Sequence, residues 1–215
     1  MKNPSYHRTH RSAAQTRSQG FSLIELLIVV GIIMVVSAIA IPNFVLMVYN
    51  AQLNSAASSL AGLMQQARIF AATQNPTTPY QIRYTQVQDK QAAFIDLNGN
   101  GVLDAGEPVV IFPGSVTPTA GAPNGDGGSP TPYENDADNG SGSYDNSFTL
   151  AFSPRGLPCL FDDSANPPKC TTPAAKYFVH YLTDNRAAGK NGWAAVLVTT
   201  SGRTRTLRWD GAAWR

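Results

Sequence analysis

Gly20-Phe21-Ser22-Leu23-Ile24-Glu25-Leu26-Leu27-Ile28-Val29-Val30-Gly31 opens an apolar run that continues to Ile41. Glu25 is the single ionisable residue between Phe21 and Ile41. A helix over this segment rises about 31 Å, close to the thickness of a bilayer's hydrocarbon core. A carboxylate near the start of a membrane-length helix, just after a glycine and a basic leader, demands a partner, because a charge in hydrocarbon costs several kcal/mol.

The chain has 215 residues, enough for one ordinary domain and an anchor. Residues 1–20 carry Lys2, Arg8, Arg11 and Arg17 and no acid. Of 16 basic side chains, 12 remain after residue 20, against 14 acidic ones, a balance of −2. The basic character of the whole chain therefore gives no support for nucleic-acid binding by residues 21–215. Basic residues before an apolar span favour the cytoplasmic side, which places the leader inside and everything after Ile41 outside. Ala38-Ile39-Ala40 also offers an ordinary signal-peptidase site.

Outward from this run, Pro42 predicts a kink or local melt. Helical periodicity then resumes. Leu53, Ala56, Ala57, Leu60, Leu63, Met64, Ala67, Phe70 and Ala71 form one stripe, opposite Gln52, Asn54, Ser55, Ser58, Ser59, Gln65 and Arg68. Asn75-Pro76 ends the helix. Short β-rich runs follow at Tyr80–Thr85, Ala92–Ile95, Pro108–Phe112, Phe148–Phe152, Tyr177–Leu182, Trp193–Thr199 and Arg203–Trp209. Short connections with no second helix predict an antiparallel sheet. Residues 113–146, rich in Gly, Pro, Ser, Asn and Asp, read as a long surface insertion. The segment between the cysteines reads as a Pro-rich loop. Cys159 and Cys170 lie on the outer side, where an oxidising compartment favours a disulfide over two free thiols.

The Gly20-Phe21-Ser22-Leu23-Ile24-Glu25 motif, with Pro42 further on, resembles the prepilin leader of type IV pilins and type II secretion pseudopilins. The resemblance implies cleavage between Gly20 and Phe21 by a prepilin peptidase and N-methylation of Phe21. It also implies assembly into a filament, with Glu25 paired to the new amino terminus of Phe21. Phe152-Ser153-Pro154-Arg155-Gly156 and Ser201-Gly202-Arg203-Thr204-Arg205 look like the GspH/FimT group of minor subunits. The implied fold is α+β and pilin-like: a long N-terminal helix, transmembrane then amphipathic, packed on an antiparallel β-sheet domain. The implied organisation is a cleaved leader at 1–20, a transmembrane half-helix at 21–41, an amphipathic half at 42–75 and a β-rich periplasmic domain at 76–215. The implied partners are other pilins or pseudopilins, the prepilin peptidase, an inner-membrane assembly platform and the inner-membrane lipid.

Two candidate sites lie in the outer domain. Asp96-Leu97-Asn98-Gly99-Asn100-Gly101-Val102-Leu103-Asp104-Ala105-Gly106-Glu107 fits a twelve-residue calcium loop. Its ligands would be Asp96, Asn98, Asn100, the Val102 carbonyl, Asp104 and Glu107. The alternative is a hairpin turn rich in Asn, Asp and Gly, since β-like runs flank it rather than helices. Arg203 and Arg205 lie on one face of a strand, and Gly202-Arg203-Thr204-Arg205 resembles the element through which FimT-type minor pilins bind DNA. Trp209 and Trp214 would then stack on bases, or else pack on the core. No nucleophile elbow and no phosphate-cradling glycine loop is present, so the sequence carries no catalytic constellation.

Overall fold

The computed structural model describes residues 20–119, 135–136, 140–141, 144–145, 149–165, 167–171, 177–184, 186, 192–210 and 213–215. Residues 1–19 of the leader and most of the 113–146 insertion lie outside the described residues. The chain divides into two units, Met1–Phe44 and Val45–Arg215.

Helix α1 spans Leu23–Gln74. In the first unit every residue from Gly20 to Phe44 is exposed except Ser37, which is half-buried. The helix continues through Pro42, so the expected melt does not occur. A proline forfeits one backbone bond. Next to it, the Asn43 side-chain amide donates to the Ile39 carbonyl at 3.2 Å.

In the second unit the helix buries Leu53, Ala56, Ala57, Leu60, Leu63, Met64, Ala67 and Ala71, the stripe that the periodicity predicts. It ends at Asn75, whose φ of 46° is the left-handed conformation that asparagine tolerates at helix ends.

The β domain holds β1 (Tyr80–Val87), β2 (Lys90–Asp96), β3 (Val109–Ile111), β4 (Thr117–Thr119), β5 (Asn135–Asp136), β6 (Gly140–Ser141), β7 (Tyr144–Asp145), β8 (Leu150–Phe152), β9 (Pro158–Asp162), β10 (Lys169–Thr171), β11 (Tyr177–Thr183), β12 (Trp193–Thr199) and β13 (Thr204–Arg208). These strands form two main sheets rather than one. The first has the order β10-β9-β8-β1-β2-β3; the second runs β13-β12-β11-β4, with β7 also beside β11. All their pairings are antiparallel except β7 with β11, which is parallel. The helix stripe, Ile82, Ile95, Leu150 and Phe152 of the first sheet, and Phe178, Leu182, Ala194, Val196 and Val198 of the second share one core.

Period-two alternation sends the other face of the second sheet elsewhere. Val179, Tyr181, Trp193, Ala195, Leu197 and Leu207 form a second cluster, covered by Trp209 and Trp214.

Two expectations are corrected. The segment between the cysteines is a hairpin of β9 and β10, with Cys170 opposite Phe161, and not a loop. Pro158 is tolerated because it starts its strand. The beginning of the 113–146 insertion belongs to the fold: Val116 is buried, and β4 pairs with β11 through Pro118 opposite Leu182. A proline is acceptable there because β4 lies at the end of its sheet's main strand order.

Candidate processing segment and polar sites of the β domain

Gly20, Phe21 and Ser22 precede the helix, and the Leu26 amide donates to the Ser22 carbonyl at 3.1 Å. Glu25 lies in the first helical turn, where the helix dipole favours an anion. Phe21 is 82% exposed, and the large apolar side chains from Leu23 to Val48 are exposed with it. A Cβ added at Gly20 would meet nothing within 4 Å. The fold of this chain therefore places no demand for glycine at the position. The helix is long and apolar enough to cross a membrane, and none of its apolar window is buried.

Cys159 and Cys170 pair at disulfide distance, with their Cα atoms 5.3 Å apart. They wall a surface cavity of about 490 Å³ together with Asn75, Ser153, Arg155, Leu157 and Thr200. In the same hairpin the Ser164 hydroxyl and amide bond to Asp162 and hold its carboxyl below the usual range, with Lys169 adding to the effect.

The two segments that carry the GspH/FimT resemblance meet at one helix residue. Arg68 donates from Nε to the Gly156 carbonyl at 3.2 Å and from Nη1 to the Gly202 carbonyl at 3.1 Å. Gln65 donates to the Gly202 carbonyl at 3.2 Å and to the Thr204 hydroxyl at 2.9 Å. Both side chains, expected on the solvent face, anchor turns instead. Gly156 and Gly202 have φ of 69° and 81°. A Cβ at Gly202 would sit 2.8 Å from Arg68 Nε, so glycine is required there by backbone and by space.

Arg203 is exposed in the turn before β13 and Arg205 is half-buried on β13, so only the second lies on the strand where both were expected. Arg155 is exposed in the neighbouring turn. Trp209 and Trp214 do not project as a stacking platform. Their rings meet edge to face with centroids 5.6 Å apart, and Trp214 packs on Tyr181 at 5.6 Å.

The 96–107 loop is held by its own side chains. Asp96, fully buried, pairs with Arg83 at 2.9 Å. Its carboxylate also accepts the Gly99 and Gly101 amides at 2.7 and 2.8 Å. Asn98 and Asn100 each donate a side-chain amide to Asp104 at 2.7 Å. Glu107 accepts the Leu97 and Asp104 amides at 2.8 and 3.0 Å. Among the described residues, no group of three or more His, Cys, Asp and Glu side chains is placed to hold a metal ion.

Two further polar clusters carry no motif and escape sequence reasoning. Asp184, 1% exposed, pairs with Arg186 at 2.8 Å and accepts the Gly192 amide at 2.7 Å. Asn50 of the helix accepts from both Arg186 and Arg208. Between the sheets, the Tyr84 hydroxyl and His180 Nδ1 are 2.6 Å apart. Burial of that hydroxyl raises the phenol's pKa, because the phenolate would lose its hydration. The one advance signal is His180, a polar residue within the largely apolar strand β11; the Asp184, Arg186 and Asn50 cluster has none.

No curated protein and no solved structure matches this chain. Residues 15–41 match the model of the prokaryotic N-terminal methylation motif, and the chain is in this segment similar to the prepilin-type subunits of type IV pilin-like systems.

Proposed function

We propose that this chain is a structural minor subunit of a type II secretion pseudopilus or a type IV pilus. A prepilin peptidase cuts between Gly20 and Phe21, and Phe21 becomes N-methylated. Before assembly the segment 21–41 anchors the subunit in the bacterial inner membrane, with the leader cytoplasmic and the β domain periplasmic. In the filament it packs against equivalent helices of neighbouring pilins or pseudopilins, recruited through the assembly platform. Glu25 then pairs with the amine of Phe21, its own or a neighbour's, which fixes the register of assembly.

One observation carries this reading. The matched segment presents an exposed glycine that the fold does not need, followed by an apolar stretch of helix none of which is buried. Both features find their use only against other molecules. Glu25→Ala in the native host tests the assembly role: processing continues, and incorporation into filaments is lost. Normal incorporation overturns that role.

A second reading is a DNA-binding subunit acting in DNA uptake. Arg203 and Arg155 are exposed in turns that both dock on Arg68, and this proximity favours a polyanion contact. The packed tryptophans leave the contact to the arginines, Arg203 and Arg205 with Arg155. Replacing both by Ala and measuring DNA binding across a salt series decides the matter, with unchanged affinity ending the reading.

A further inference from the structure

We propose that Arg83 is the built-in cation of the 96–107 loop, so that a turn written like a calcium site folds without metal. In a calcium loop, oxygens from positions 1, 3 and 5 and a glutamate at position 12 converge on the ion, with glycine at position 6. Here each of those oxygens is already engaged. One oxygen of Asp96 accepts the Gly99 amide; the other accepts both the Gly101 amide and Arg83 Nε. Both oxygens of Glu107 take backbone amides.

The Asn98 and Asn100 carbonyls accept the Asn100 and Val102 amides at 3.0 and 2.8 Å. These bonds fix which way the two side chains face, because a flipped amide would set NH₂ against N–H. Their NH₂ groups therefore point at Asp104. Both asparagines thus turn a donor, not an acceptor, toward the Asp104 carboxylate.

The guanidinium lies against the sixth position. A Cβ at Gly101 would be 3.3 Å from Arg83 Cζ, and Gly101 has φ of 78°. Strand register places it there. Gln81 of β1 lies opposite Asp96 of β2, and Arg83 is the next residue on the same face, within diagonal reach. Phe161 backs the guanidinium, with its ring centroid 5.8 Å from Arg83 Cζ. A divalent ion at this loop has to displace half-buried Arg83 from the buried Asp96 carboxylate and turn over two amides.

The test is thermal melting and calcium titration of the full-length chain in detergent. Wild type is expected to show the same melting temperature in chelator and in millimolar calcium. Arg83→Met is expected to melt about 10 °C lower, the size of leaving one buried carboxylate without its cation in a domain of this length, and to regain much of the loss with calcium. Arg83→Lys, which keeps the charge but not the fork, is expected to fall between the two with no calcium response. A wild type stabilised by calcium overturns the proposal, even if Arg83→Met fails to fold. So does an Arg83→Met that melts like wild type, or one whose loss calcium does not restore.

Discussion

Residues 23–44 and 45–74 belong to one helix, yet they satisfy opposite conditions. The later segment is amphipathic and hides eight residues against two sheets. The earlier one is apolar on all sides and covers almost nothing within its own unit. A stripe is the signature of a helix that has found its partner within the chain; an all-round apolar surface belongs to one whose partner is lipid or other chains. The comparison separates folding from assembly along one element.

Core truncation tests the contrast at its largest. Leu60→Ala should destabilise the β domain by about 2–5 kcal/mol in chemical denaturation, because it empties a fully buried site. Ile33→Ala should leave that stability within about 0.5 kcal/mol, since Ile33 is exposed. Equal losses for the two would erase the distinction.

Reduction of Cys159–Cys170, which closes a separation of 11 residues, should cost about 3 kcal/mol. The midpoint of urea unfolding with and without reductant measures it. Glycine sharpens the comparison at a single residue type. Gly202→Ala should lower stability by about 1–2 kcal/mol through strain at positive φ and collision with Arg68. Gly20→Val should leave the melting curve unchanged and block processing, visible as retention of the leader on a gel.

The smallest effect is alkaline. Burial raises the Tyr84 pKa, so the native state keeps a proton that the unfolded chain releases above about pH 10. Stability is therefore intact below that pH and falls above it, by at most about 1.4 kcal/mol per pH unit from this group. Tyr84→Phe should flatten that limb of the stability profile.

Much of this was legible in the sequence because it is periodic. The stripe from Leu53 to Ala71 repeats at helical spacing, and the strands at 80–85, 92–95, 177–182 and 193–199 are β-rich runs of ordinary length. What stayed hidden is non-local or irregular. Nothing in the local pattern tells that Tyr80 pairs with Phe152, which is what joins β8, β9 and β10 to β1, β2 and β3 in one sheet. Prolines masked β4 and β9, since edge and first positions tolerate a residue that reads as a breaker. Gln88 and Asp89, both at positive φ, form a hairpin turn without the usual glycine.

The candidate sites divide in the same way. The leader motif is a contiguous string and was readable. The loop at 96–107 was also readable as a string, but its character is set by Arg83 from a neighbouring strand, a relation that only the register creates. Gln65 and Arg68 looked like solvent-facing polar residues because their partners, the carbonyls of Gly156 and Gly202, leave no mark in a sequence.

The most direct test of the central claim is the intact mass and amino-terminal sequence of the mature protein purified from the membranes of its host. The account predicts a chain that begins at N-methylated Phe21. A chain that begins beyond Ala40, or one that still carries Gly20, contradicts it.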